Sequence, residues 1–501
     1  MKSSKRVFVN TIIQYTRTIL SVIITLYTSR VILENLGVND YGIYSLVGGV
    51  VTMLSFINHS LSTTTQRYLS FNHGKGDKQL LVKIFNNSVV TQTIISTILC
   101  GTLLALANPI FDNFLNIAPE RLSSAKIVYI LTVITLFFNL QSTPYLATLI
   151  ARENILYSSI IHIIDTIFKI PIAISLYYIT LDKLIWYSIC CSLLIVFNFV
   201  CYFIYCKKNY EECRQFSFSS FDLSLFKDMF SFMGWMIYST GCVTGRTQGI
   251  AILLNKFFNT AINAAYGIGL QVSSQMSFLS SALITAIRPQ IIKAEGAGNR
   301  KRAIRLSEMA CKFSFFMMSL VSIPAIFHMN DLLSIWLVKV PEHAVMFCQY
   351  ILLAVCIDQL TSPLAVANAA VGNVRIYSLW VNTIKLLTLP FVYLILKLKY
   401  PVESVMIIYL AFETICMISR LVFLRINIQL NILEFLKNVI IPLIIPLTIS
   451  IICCNFTCQH FENIWVLINF GITFLIYGSS FLLLGLKNDE KEILKSILKR
   501  K

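Results

Sequence analysis

The sequence predicts an all-α integral membrane protein with about 14 transmembrane helices, and three observations carry that prediction. Of 501 residues, 56% are hydrophobic and only 13% charged, with a mean hydropathy of +0.73. A soluble domain carries about 25% charged residues, and water cannot solvate so little polar surface over such a length. Apolar runs of about 20 residues, long enough to cross a bilayer, recur from one end of the chain to the other. The short segments between them carry basic residues very unevenly.

In order, the first six runs fall at about 7–33, 41–66, 82–107, 124–150, 155–179 and 183–206, an N-terminal six-helix lobe over 1–206. The first run is too long for a signal peptide and is followed by no A-x-A-like cleavage site, so it reads as an uncleaved span. A polar linker covers 207–228, with Lys207, Lys208, Glu211, Glu212 and Arg214. Six more runs, at about 229–255, 260–287, 304–327, 344–370, 375–396 and 402–424, make a C-terminal lobe over 229–425. Two extra helices, about 438–457 and 463–486, occupy 426–486, ahead of a basic cytoplasmic tail over 487–501. That tail reads as a solvated helix lying against the membrane surface.

Orientation follows from the basic residues. With the N-terminus cytoplasmic, twenty-nine Lys and Arg fall on the cytoplasmic side, eight on the other and four inside spans. This is the positive-inside pattern, and it puts both termini in the cytoplasm with an even number of spans. It also accounts for the formal charge of +17 with no nucleic-acid partner, because no aromatic-interleaved basic domain exists.

The chain repeats itself. Arg67 and Gly74-Lys75-Gly76 recur as Arg288 and Gly296-Ala297-Gly298, while Pro144, Asn154 and Pro171 recur as Pro363, Asn373 and Pro390, all at offsets near 220 residues. Duplication of a six-span unit leaves both halves entering the membrane in the same direction. Two bundles related by a pseudo-two-fold axis along the membrane normal are expected, an arrangement suited to alternating access.

Seven ionisable residues lie well inside spans: Arg17, Asp165, Lys169, Arg246, Asp358, Lys385 and Glu413. At about 2.5–3.5 kcal/mol each they could cost about 20 kcal/mol facing lipid, more than the net stability of a typical domain. They must face one another or a wet cavity. Asp165 and Lys169 stand four apart on one helix face and can cancel each other. Arg17, Arg246 and Lys385 have no carboxylate within a turn. Each is a candidate for holding an anionic substrate, because guanidinium and ammonium groups match phosphate. The alternative is a structural bond to backbone carbonyls or to a distant carboxylate such as Glu413 or Asp358. Asn10, Gln14 and Arg17 share one face of the first span, which adds Gln14 to the cavity candidates. Asp165, Lys169, Asp358 and Glu413 are read as charge pairs or ion-coupling groups. The seventh span carries Gly241, Gly245 and Gly249 around Arg246, a spacing that suits close helix packing.

No catalytic motif is present: no H-E-x-x-H, no P-loop, no G-x-S-x-G. The six histidines are dispersed and the fourteen cysteines show neither metal spacing nor a disulfide framework. No enzyme activity, metal or cofactor is expected. Without an ATP-binding motif, transport must be coupled to H+, Na+, the membrane potential or the substrate gradient.

The run Arg30-Val-Ile-Leu-Glu-Asn-Leu-Gly-Val-Asn-Asp-Tyr-Gly-Ile-Tyr44, with Val47-Gly48-Gly49 and Gln66-Arg67-Tyr68, resembles the N-terminal signature of bacterial polysaccharide-unit flippases. These belong to the multidrug/oligosaccharidyl-lipid/polysaccharide (MOP) exporter superfamily. The L-G-x-x-x-Y-G element, Leu36-Gly37 to Tyr41-Gly42, is the most specific part and is expected to form the outer turn between the first two spans. The resemblance implies two six-helix lobes around a V-shaped cavity. The implied cargo is an oligosaccharide on an undecaprenyl pyrophosphate carrier, flipped across the bacterial inner membrane for O-antigen or capsule synthesis. The implied partners are that lipid-linked substrate, membrane lipids, a polysaccharide polymerase and glycosyltransferases. Two alternatives from the same superfamily are a lipid II-type flippase and a cation-coupled multidrug exporter, the latter expected to carry cavity carboxylates.

Overall fold

The computed structural model describes residues 3–52, 55–113, 119–180, 182–214, 221–258, 260–337, 340–372, 374–460, 466–487 and 490–491. All regular structure among them is helical. The chain divides into two units, Phe8–Ile237 and Tyr238 onward, the latter joined by the start of the chain up to Val7. The first holds most of α1 (Ser3–Thr52), α2 (Ser55–Lys75), α3 (Lys78–Ala105), α4 (Ala107–Asn113), α5 (Leu122–Ala151), α6 (Ile155–Ser175), α7 (Lys183–Asn209), the single turn α8 (Glu211–Arg214) and the opening turns of α9 (Leu223–Phe257). The second holds the rest of α9, then α10 (Thr260–Gly296), α11 (Arg300–Phe327), α12 (Met329–Trp336), α13 (Ala344–Gln359), α14 (Leu364–Val371), α15 (Val374–Tyr377), α16 (Thr383–Lys397), α17 (Glu403–Ile428), α18 (Ile432–Phe435), α19 (Ile441–His460) and α20 (Val466–Ser480). Three wide π-turns, Ser378–Asn382, Leu436–Ile440 and Phe481–Gly485, interrupt or end helices of the second unit.

Ten helices among the described residues are long and apolar enough to cross a membrane, or eleven if α13 and α14, bent by 47° at their break, make one span. The described residues of the runs expected at 41–66, 229–255 and 260–287 are helical too. The last two fall short because hydroxyls, amides and glycines dilute their apolar content; α9 carries Ser239, Thr240, Thr244, Thr247 and Gln248 around Arg246. Polar helices in a membrane protein need a wet or protein-lined surface to face.

Local chemistry sets the helix ends. Gly37, at φ +75°, breaks α1 into two helices, a conformation open to glycine at little cost. Gly42 is already helical, so only the first glycine of the L-G-x-x-x-Y-G element makes the turn. The proposed repeat has a structural counterpart. Gly76 and Gly298 both take positive φ, +80° and +75°. The following residues, Asp77 and Asn299, cap α3 and α11 by accepting from Leu80 N at 3.0 Å and Arg302 N at 3.1 Å. Asn154 caps α6; its expected counterpart Asn373 lies outside the described residues.

The division between units falls inside α9, rather than ahead of it as the lobe boundaries 1–206, 207–228 and 229–425 anticipate. The expected linker is anchored to the first unit. Glu212, 3% exposed, takes a two-pronged bond from Arg152 at 2.9 and 2.8 Å, and the same guanidinium meets His73 at 2.9 Å. Asp222 N–H donates to Asn87, and Phe232 sits edge-on to Tyr68 beside the Arg67 guanidinium. At the other end of the unit Arg121 clamps Asp40 and Asp182, the latter at 2.9 Å. In the second unit the C-terminal helices pack on α11: Phe316 stacks on Phe481 at 3.7 Å and Ser319 bonds the Tyr477 hydroxyl at 2.7 Å.

Candidate functional site

The second unit gathers its intramembrane charges into one buried cluster. Lys385 on α16 reaches Asp358 on α13 at 2.9 Å and Glu413 on α17 at 2.8 Å. Arg246 on α9 forms an ion pair with Glu413, donates to the Tyr409 hydroxyl at 3.1 Å and lies over its ring at 4.4 Å. Arg420, two turns beyond Glu413, bonds Asp358 at 3.0 Å, Thr361 at 2.8 Å and Tyr377 at 3.0 Å. Three cations thus surround two carboxylates, and Arg246, Lys385, Glu413 and Arg420 are all buried. Arg246 and Lys385, which lack a partner within their own helices, are therefore tied to the distant carboxylates. Arg420, which the charge tally assigns to a cytoplasmic segment, belongs to this cluster. It could have been read from sequence: Tyr409, Glu413, Cys416 and Arg420 fall on one face of α17.

Two nearby polar groups are orphaned. The Arg246 Nε and the Tyr266 hydroxyl are buried with no hydrogen-bond partner among the described residues. Gly249 faces Leu389 so closely that a Cβ there would stand 2.6 Å from its methyl carbons, and Gly245 meets Leu386. Two of the three α9 glycines thus serve close packing against α16, while Gly241 opens on empty space.

The first unit treats its charges differently. Asp165 and Lys169 pair along α6 at 2.9 Å, and Asn198 donates to the other Asp165 oxygen at 2.9 Å. Asn10 and Gln14 are buried at 7% and 4% exposure, on the α1 face read from their spacing. Arg17, next on that face, is half-buried and within electrostatic range of Tyr202 and His162. No carboxylate answers it: among the described residues it makes no hydrogen bond and no ion pair. Asp182, between α6 and α7, is half-buried at the unit's end. Partial burial alone would raise its pKa, but bonds from Ser124, Arg121, Ile185 N and Leu184 N outweigh that and lower it.

Among the described residues no three His, Cys, Asp or Glu come together as a metal site. A half-buried guanidinium with free donors can hold an anion that arrives from outside the chain.

No protein-family model matches the chain, and no curated protein matches it. Solved structures do. A MATE structure in the bent conformation superposes with a TM-score of 0.73 at 12% identity, covering 86% of this chain and 96% of that one. The Vibrio cholerae MATE transporter VcmN, also bent, gives 0.67 at 16% identity, covering 85% and 97%. A MOP superfamily transporter from Pyrococcus furiosus Vc1, described as having a binding pocket of reverse polarity that suggests a different function, gives 0.67 at 12% identity, covering 86% and 96%. The chain has the all-α fold of these solved MATE structures, with ten or eleven helices among the described residues long and apolar enough to cross a membrane.

Proposed function

We propose that the chain is a flippase that moves undecaprenyl-pyrophosphate-linked oligosaccharide units across the bacterial inner membrane by alternating access, for O-antigen or capsule synthesis. The observation that carries this reading is the sign of the intramembrane charge. Arg17 has no carboxylate, and the buried cluster of the second unit holds three cations against two anions. Meanwhile each of Asp165, Asp358 and Glu413 is met by a cation. A pyrophosphate suits such surroundings, since charge-assisted bonds from guanidinium are short and strong; an organic cation does not. The L-G-x-x-x-Y-G element supports the same reading, with Gly37 making its turn.

In this proposal both termini are cytoplasmic and the chain has fourteen spans. The solved MATE structures leave about a seventh of the chain uncovered, near the length of 426–501. Coupling runs through H+, Na+ or the membrane potential, and the polymerase and glycosyltransferases of the same assembly line are the expected neighbours. The test is deletion in the native bacterium with analysis of surface polysaccharide and lipid-linked intermediates. Loss of the polysaccharide, with carrier-linked units accumulating at the cytoplasmic face, is the expected result. The likeness to MATE structures favours one other reading, a cation-coupled multidrug exporter. Intact polysaccharide with new sensitivity to cationic drugs would establish that one instead, and arrested peptidoglycan synthesis would point to a lipid II-type substrate.

A further inference from the structure

A cavity of about 810 Å³ opens in the second unit between the start of α11, the α17–α18 junction and the residues after Gly485. Lys301, Arg302, Arg305, Lys312 and Lys487 line it against Glu308, Glu434 and Glu490, two positive charges in excess. Much of that charge is already spoken for. Lys312, only 1% exposed, pairs with Glu490. Asn438 donates to Glu308 at 2.9 Å and accepts from the Lys487 ammonium. These bonds form a rigid polar floor. At the mouth, Lys301, Arg302 and Arg305 are exposed, and among the described lining residues Glu434 is the exposed carboxylate.

The surroundings of this cavity are apolar and outward-facing. Leu482, Leu483 and Leu484 are 51–69% exposed, three residues ahead of Lys487. Leu433 and Ile441, at 77% and 57% exposure, flank Glu434 and Asn438. Large exposed leucines on a membrane protein face acyl chains, so within one helical turn the surface changes from hydrocarbon-facing to charged. That transition marks the headgroup layer.

We infer that this cavity is a binding site for the phosphate headgroup of an anionic phospholipid, with its acyl chains lying along the exposed leucines of the Phe481–Gly485 turn and α18. The net positive mouth supplies charge-assisted bonds to a phosphodiester, and the adjacent apolar surface selects a lipid over a soluble anion. Basic pockets between membrane helices are suited to such headgroups, each Lys or Arg near the surface contributing a measurable share of the attraction. The site is built from the C-terminal helices and is independent of which substrate the transporter moves.

The test uses the purified full chain in detergent, titrated with phosphatidylglycerol or phosphatidylcholine of the same acyl chains and read by native mass spectrometry. Wild type should retain phosphatidylglycerol preferentially. Lys301→Ala/Arg302→Ala, which removes two exposed side chains, should weaken that retention about fivefold per charge without lowering the melting temperature. Lys301→Arg/Arg302→Lys should keep it. Excess inorganic phosphate should leave most of the lipid in place. Equal retention of the two lipids, unchanged retention by the alanine variant, or complete displacement by phosphate would each overturn the inference.

Discussion

The two units handle the same problem, charge inside a membrane, in opposite ways. The second unit closes its charges into a ring of mutual partners: Arg246, Lys385 and Arg420 against Asp358 and Glu413, backed by tyrosine and threonine hydroxyls. The first unit pairs Asp165 with Lys169 and leaves Arg17 unanswered among the described residues. Closed clusters hold helices together, since removing either member strands a buried charge. An unanswered arginine holds nothing together and is retained at a cost. The two kinds of charge thus differ in their partners, and depth in the membrane does not distinguish them.

The largest effect should come from breaking the closed cluster. Glu413→Gln deprives both Arg246 and Lys385 of a counter-charge, and about 3–5 kcal/mol of stability should be lost, seen as lower membrane abundance and a lower melting temperature. Wild-type melting would remove the contrast between the units. Lys385→Ala should behave alike for the same reason, its effect on export following from lost protein.

Arg17→Met should do the reverse: export falls at least tenfold, as expected from losing a charge-assisted bond of about 1.5–3 kcal/mol, while melting holds or rises. A variant that exports normally would show that Arg17 does not meet the cargo. Next in size, Gly37→Ala has no steric neighbour within 4 Å, so its whole effect is the backbone conformation, about 1–3 kcal/mol, read from the melting temperature; an unchanged value would mean that the turn is not fixed.

The smallest effect concerns pH. Asp182 has a lowered pKa, so its contribution is present above the usual aspartate value of 3.8 and is lost as pH falls through the lower folded value. Melting of the first unit should be flat from neutrality down to that range. Asp182→Asn should blunt the decline below it, and a decline of the same size in that variant would assign the acid limb to other groups.

Much of this was readable from residues alone. The Asp165–Lys169 pair follows from a spacing of four, and the buried polar face of α1 from Asn10, Gln14 and Arg17. The seven intramembrane charges were found by depth. What spacing could not supply was which helices face each other: Arg246 meets Glu413 across 167 residues of sequence and Lys385 meets Asp358 across 27. The same holds for Asp40, which sits inside the signature yet owes its position to Arg121, 81 residues on. The hydropathy criterion passes ten helices among the described residues, or eleven with the bent pair, for a related reason. Residues 229–255 and 260–287 are helices, but their polarity is compatible with a membrane only through neighbours that a hydropathy window cannot see.

The twin turns at Gly76-Asp77 and Gly298-Asn299 bear on how the chain enters the bilayer during synthesis. Each closes a helical hairpin within a few residues, where loop-closure entropy is small, so the two arms can zip together as soon as both have emerged. In both hairpins the trailing arm, α3 or α11, contains a stretch apolar enough to cross a membrane, and the leading arm, α2 or α10, does not. The glycine-capped turn tethers a reluctant segment to an escort that partitions readily. Lengthening either turn with a flexible insert would uncouple the pair, and the leading arm would then have to insert unaided.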